Sequence, residues 1–398
     1  MTSEFNASPE LLTDLRRVMR PALGLGILLA IVSIIGGILD PGDFFRSYLM
    51  SYLFWLGLAL GSLAVVMMQY LTSGAWGVLT RRTFESATRT LPFLALLFIP
   101  IACATPVLYD WAHADLVHKE YALAHRAGYM NTTMFILRAI AYFAIWLVFT
   151  YLLNKWSADQ DEDGADKNRI EKRLAAISAP GLILYVFTVT FSSVDWAESL
   201  ETDWYSTMWG FLFVARQGLT AFAFVIIVLT LLARREPLLS KLKTSHIHDL
   251  GKLLLTFVMV WAYFAFSQLV IVWSGNLTDE IPWYLRRFAT SWGVLGVLLI
   301  IFEFIVPFLL LLSRPLKRNA YALCGVVGII IVMRWIDLAW IVFPEYYHEG
   351  FRVTWLDFAV PLAMSSLWVA VFVWELRKRP LLPLQPPNLT RALLHEGQ

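Results

Sequence analysis

Ten apolar runs, each near the length that crosses a bilayer, constrain this chain before any motif does. They fall at 21–39, 48–71, 91–109, 132–153, 175–193, 207–233, 253–275, 290–312, 321–343 and 356–376. A span needs ~20 such residues. Hydrocarbon offers the backbone no hydrogen-bond partner, so each run must bond within itself as a helix. The chain of 398 residues is 58% hydrophobic and only 16% charged, with mean hydropathy +0.62, too few charges for a soluble domain. The expected fold is an all-α polytopic membrane protein with ten transmembrane helices.

Lysine and arginine set the expected orientation. Of the 32, 23 fall on one side, in the N-terminal segment, loops 72–90, 154–174, 234–252 and 313–320, and the tail. Only Arg46, Lys119, Arg126, Arg286, Arg287 and Arg352 fall on the other, while Arg138, Arg216 and Arg334 lie within spans. The positive-inside rule then places both termini in the cytoplasm. The opposite side is acidic at Asp195, Glu198, Glu201 and Asp203, and Trp and Tyr crowd the span ends. Its loops are too short for a domain, so any redox centre beyond the membrane must come from other chains. A net charge of +2 gives no ground for a nucleic-acid partner. The first 20 residues lack the apolar core of a signal peptide and are expected in the mature chain.

Spans 2–5 and 6–9 each begin and end on the outer side, so they can be parallel repeats. The expected organisation is a cytoplasmic segment (1–20), a flanking helix (21–47), a four-helix bundle (48–193), an outer loop (194–206), a second bundle (207–343), helix ten (356–376) and a Pro-rich cytoplasmic tail (377–398). Segment 72–90, mixed apolar and basic, reads as a short amphipathic helix along the cytoplasmic interface. Loop 154–174 reads as a solvated linker; its DQDEDGADK block lacks the glycine and terminal glutamate spacing of a calcium loop. The tail reads as an extended arm that docks on a neighbour.

Chemistry concentrates in the second half. Arg216, Glu303, Arg334 and Asp337 sit inside apolar spans, where charge is costly and marks function. At 1.5 Å per residue, Arg216 lies ~13–15 Å from the outer end of its span, Glu303 ~20 Å, and Arg334 and Asp337 ~10–14 Å. Arg334 and Asp337, at i and i+3, share a helix face and can pair. Gln217 and Gln268 add neutral polar groups at similar depth, and Asp195 closes the first repeat much as Asp337 closes the second. Together these residues form a candidate proton ladder; pure helix locking is the other reading. No cation lies within a turn of Glu303 on its own span, so it should be neutral unless another helix supplies one. His246, His248, Asp249 and Lys252, just before span 7, read as a cytoplasmic proton entry, a metal half-site or an ordinary interfacial loop. Arg138 can snorkel to the surface or hold a polar headgroup. All seven histidines fall outside the spans, which argues against bis-histidine haem in the bundle, and two cysteines, Cys103 and Cys324, are too few for a zinc or iron–sulfur site. No metal site is expected.

Three stretches carry a family resemblance: SYLFWLGLALGSLAVVMMQYLTSGAWG, FSSVDWAESLETDWYSTMWGFLFVARQGL and HDLGKLLLTFVMVWAYFAFSQLVIVWSGNLTDEIPWYLRR. The DW-x-x-SL-x-x-x-WYST-x-x-G pattern at 195–210 is the most specific. Over about residues 20–376 the chain resembles the NrfD/PsrC-like membrane subunits of alternative complex III, most of all the ActF type. The resemblance implies two four-helix bundles with flanking helices in a bacterial cytoplasmic membrane. It implies a complex that oxidises quinol, usually menaquinol, and passes electrons to cytochrome c or a blue copper protein. The implied partners are a sister NrfD-like subunit, multihaem cytochrome c subunits, an iron–sulfur/molybdopterin-like periplasmic subunit and small membrane subunits. Haem c and iron–sulfur clusters would sit in those partners, with no redox cofactor bound by this chain and a proton-conducting role for it. Three other readings stay open: a subunit that itself binds and oxidises quinol between spans 2–5, a stand-alone proton-coupled transporter, and a purely structural anchor.

Overall fold

The computed structural model describes residues 7–119, 121–162 and 164–383. Ten helices are long and apolar enough to cross a membrane: α1 Pro9–Leu39, α2 Pro41–Thr72, α3 Trp76–Cys103, α4 Thr132–Asp159, α5 Lys167–Leu200, α6 Trp209–Leu232, α7 Thr244–Gly275, α8 Trp292–Leu312, α9 Ala320–Glu345 and α10 Leu356–Leu376. There is no strand among the described residues. The protein is an all-α polytopic membrane protein. Its face with Arg377–Arg379 is named the basic face below, and the face with Glu201 and Asp203 the acidic face.

Local chemistry sets the helix ends. The Asp40 carboxylate accepts from the Asp43 N–H at 3.0 Å and Pro41 opens α2, where a missing N–H costs nothing. Asn131 caps α4 through the Met134 N–H at 2.9 Å, and Asp166 caps α5 through the Arg169 N–H at 3.1 Å. Several helices run past their apolar segments on the basic face: α1 starts at Pro9, α5 at Lys167 and α7 at Thr244. Residues 244–252 are therefore the first turns of α7 rather than a loop. Loop 154–174 shrinks likewise, because α4 continues to Asp159.

α2 and α6 form the centre. The apolar window of α2 is 94% buried, against 17% for that of α1. α2 packs on α3 and α5, and α6 packs on α7 and α9, so each unit repeats one pattern around its first helix. The units meet where α2 crosses α6. At Gly61 a Cβ would lie 2.1 Å from the Gln217 carbonyl oxygen, so only glycine permits this approach. α1 and α10 pair along the flank. Ring stacks of Phe54 on Trp335 (4.2 Å) and Trp55 on Trp368 (4.4 Å) tie α2 to α9 and α10.

Segment 72–90 corrects the sequence reading. A helix does form over Ala75–Thr88, but it enters the bundle instead of lying on the interface. Arg81, Arg82 and Glu85 are 3%, 2% and 0% exposed. The start of the tail packs on the protein itself, with Leu381 and Leu382 buried; the rest of the expected arm lies outside the described residues.

Candidate functional site

The four charges in apolar spans converge. Arg216 on α6, Glu303 on α8, and Arg334 and Asp337 on α9 form one buried cluster. Arg334 reaches both carboxylates: Nη1 donates to Glu303 and Nη2 donates to Asp337 Oδ2 at 2.7 Å. Arg216 approaches from the other side, with Nε 2.8 Å from Asp337 Oδ2 as an ion-pair contact and Nη2 donating to Oδ1 at 3.3 Å. The order is Arg216, Asp337, Arg334, Glu303, with two charges of each sign. Neighbouring helices thus supply the cation that α8 itself lacks beside Glu303.

Helix geometry explains how Glu303 gets there. Residues Ile300–Ile305 form a π-helical turn inside α8. Pro307 lies four residues beyond Glu303 and has no N–H to give its carbonyl, which favours a wider turn. Such turns are frequent at functional sites. The cluster does not fill all its bonding positions. Arg216 Nη1, Arg334 Nε and Glu303 Oε2 are buried with no hydrogen-bond partner. Arg216 and Arg334 also line a cavity of about 30 Å³ between the units, together with Ser192, Ser193, Trp196 and Gln217. That volume has room for one or two waters among several polar groups.

The remaining predicted residues lie outside the cluster. The Gln217 amide oxygen accepts from Tyr185 Oη at 2.8 Å, facing the first unit. Gln268 donates to Tyr284 Oη at 3.3 Å, nearer the acidic face. Asp195 is held in the first unit by a bidentate pair with Arg138 (2.8 and 2.9 Å) and by the Tyr142 hydroxyl at 2.8 Å. Arg138 is thus bound to a carboxylate, and Asp195 is buried. The expected ladder is a compact cluster with separate polar pairs. About 13 Å of α8 separates Glu303 from the basic-face end at Leu312.

At the basic face, His246 Nδ1 accepts from the Lys243 N–H at 3.1 Å, which caps α7. Lys252 pairs with Asp249 at 3.2 Å on a largely exposed surface, and His248 is buried. Among the described residues no group of three or more His, Cys, Asp or Glu side chains is placed to hold a metal ion.

Sequence reasoning missed two ion clusters. Glu85 accepts from Arg81 Nε (3.0 Å), Arg82 Nη1 (2.8 Å) and Ser157 Oγ (2.5 Å) at the basic end of the first unit. The RR-x-x-E spacing was the available signal, since i+3 and i+4 neighbours share a face. On the acidic face, the short helix Ile281–Phe288 supplies Arg286, which bonds both Glu201 and Glu345, and Arg287, which donates to Glu345 at 2.5 Å. Arg287 is fully buried against the Trp283 ring, at 3.7 Å from its centroid. Burial first, then the Glu345 carboxylate, pushes the Glu201 carboxyl up to about 7 against the pull of Arg286.

No known protein family matches the chain, and no curated protein matches it.

Proposed function

We propose that this chain is an integral membrane subunit of a quinol:acceptor oxidoreductase of the alternative complex III type, carrying protons rather than electrons. The observation that supports this reading is the Arg216–Asp337–Arg334–Glu303 cluster, buried in a membrane helix bundle with bonding positions left open. Intramembrane carboxylates with paired cations serve as proton relays. In this reading the membrane is the bacterial cytoplasmic membrane, both termini are cytoplasmic and the acidic face is outside. The electron carriers, haem c and iron–sulfur clusters, belong to the partner subunits named by the resemblance.

Bond counting selects the exchanging group. A proton on Glu303 weakens one contact, and Arg334 keeps Asp337. A proton on Asp337 weakens contacts to both arginines at once. Glu303 is therefore the carboxylate that accepts and gives protons, while Asp337 holds the two cations in place.

The test is copurification followed by proton counting. The chain should purify with haem c subunits. Glu303→Gln in the reconstituted assembly should lower protons moved per electron at least about twofold while quinol oxidation continues, and Glu303→Asp should restore part of it. A chain that purifies alone without haem, or unchanged proton stoichiometry in Glu303→Gln, overturns the proposal.

A further inference from the structure

One buried cation of the basic face has no counter-charge. Arg81 and Arg82, the other buried cations there, meet Glu85. Lys317 lies in the short helix Arg314–Arg318 that joins α8 to α9 and is 8% exposed. Among the described residues no carboxylate acts on it. A snorkelling lysine buries its stem and leaves its head in water. At this exposure Lys317 leaves little of either outside. Its stem lies over Gly251 of α7, where a Cβ would come within 2.9 Å of Lys317 Cγ. Burial first, then the Lys252 ammonium, holds the Lys317 ammonium below its usual value. A buried charge is costly unless an opposite charge accompanies it.

The neighbours add to the positive charge. α7 packs directly on Arg314–Arg318. Lys252, Lys317 and Arg314 all lie close enough to act on the buried His248 ring. Asp249 is the carboxylate that acts there, and Lys252 pairs with it at 3.2 Å. Lys317 and Arg314 stand in excess.

This corner sits where the apolar segments end. Arg314 follows Leu312, the last residue of α8, by two, and Lys252 directly precedes the apolar run 253–275 of α7. From that level a stripe runs along α7. Lys252, Thr256, Met259 and Tyr263 are spaced for one helix face, and all four are exposed. Leu309 and Leu312 are exposed on α8, which packs on α7 over Val306–Leu312. The order is cation, hydroxyl, then apolar surface. A phospholipid presents phosphate, glycerol and acyl chain in the same order.

We infer that this corner binds the phosphate of an anionic phospholipid in the basic-face leaflet. Lys317 and Arg314 hold the phosphate, and an acyl chain lies along the α7 stripe. Basic pockets between membrane helices hold anionic headgroups in this way. A zwitterionic lipid fits less well, because its amine meets a positive corner whose carboxylate is already paired. A free phosphate ion makes no use of the apolar stripe. The site requires only that the chain spans a membrane, and neither proton transfer nor a partner subunit enters it.

Photolabelling of the full chain in phosphatidylcholine nanodiscs tests this. The probe is a phosphatidylglycerol with a diazirine near the glycerol end of one acyl chain. Adducts should concentrate on 252–263 and 306–314. Unlabelled phosphatidylglycerol should displace them, and millimolar inorganic phosphate should not. Lys317→Gln should lower labelling about tenfold, as for one hydrogen bond to a charged group, while Lys317→Arg keeps most of it. Arg314→Gln changes an exposed side chain that folding does not need, and should lower labelling about fivefold. Lys172→Gln, on the basic face but outside this corner, should leave it unchanged. Displacement by inorganic phosphate, or equal labelling by the phosphatidylcholine analogue of the probe, overturns the inference. So does labelling that falls as far in Lys172→Gln as in Lys317→Gln and Arg314→Gln, since the face would then attract anionic lipid only through its summed charge.

Discussion

Asp337→Asn is the sharpest test of how the cluster holds together. Its carboxylate meets Arg216 through Nε (2.8 Å) and Nη2 (3.3 Å) and Arg334 through Nη2 (2.7 Å). All four members are at least 94% buried, so solvent cannot take over a lost partner. The substitution leaves the cluster with two cations, one anion and a net charge of +1. Breaking a buried pair in this way costs about 3–5 kcal/mol. Glu303→Gln leaves the same +1 charge but removes only one contact, to Arg334, so it should fall at the lower end of that range, about 3 kcal/mol. The double variant Arg216→Gln/Asp337→Asn restores neutrality, because Arg334 and Glu303 remain paired. It should therefore be more stable than Asp337→Asn alone, with a coupling of at least about 1 kcal/mol. Reversible unfolding in mixed micelles measures the native protein, Asp337→Asn, Arg216→Gln, Glu303→Gln and the double variant. A loss below about 1 kcal/mol for Asp337→Asn, or a double-variant loss equal to the sum of the single losses, refutes the argument that neutrality governs this site.

Two further outcomes follow from the structure. Gly61→Ala should lower stability by about 1–3 kcal/mol, because its Cβ meets a backbone carbonyl at 2.1 Å that cannot rotate away. Gly57→Ala, one turn earlier, meets the Gln217 side chain at an ordinary 3.4 Å and should be neutral or gain up to about 1 kcal/mol of helix propensity. Thermal melting of both separates the effects. Glu201 binds its proton more tightly folded than unfolded, being pushed from 4.5 to about 7 by burial and the Glu345 carboxylate. Its contribution to stability is therefore complete below about 4.5 and is lost as pH rises through about 7. Melting temperatures between pH 5 and 8 should show that decline in the native protein and a flatter profile in Glu201→Gln.

The ten spans were legible because hydrocarbon leaves the backbone one solution, and apolar length reports it. The i,i+3 pairing of Arg334 with Asp337 was legible because it is local. The pairing of Glu303 with Arg334 was not, because periodicity gives the face of a helix and not its neighbour. Charge counting also misled at 72–90. Arg81 and Arg82 look like loop cations to a rule that counts lysines and arginines, yet Glu85 and Asp161 neutralise them and Ser157 accepts their hydrogen bonds inside the bundle. A cleft between α7 and the acidic-face half of α8 was hidden for a similar reason. Trp283 and Tyr284 match an interfacial aromatic belt, and only the placement of Ile281–Phe288 turns them over the space between α7 and α8.

The sequence suggested one polar unit and one apolar unit. The structure replaces that contrast with a difference of depth. The first unit places Arg81, Arg82 and Glu85 at its basic end and Arg138 with Asp195 towards the acidic face. The second places its cluster deeper in the bundle, where α6, α8 and α9 meet. A helix lock alone does not require that position, since well-packed apolar side chains replace buried ion pairs at no loss and often with a gain in stability. Nor does a lock require open bonding positions, each of which adds a desolvation penalty with no compensating bond. The cluster has three, at Arg216 Nη1, Arg334 Nε and Glu303 Oε2, and two of its members border a water-sized cavity between the units. Arg82 Nε in the Glu85 cluster is open as well, so it is the open positions together with the adjoining water-sized cavity that separate this site from a plain helix fastening. They make Glu303, with one cation partner and one unfilled oxygen, the member whose replacement separates proton traffic from stability.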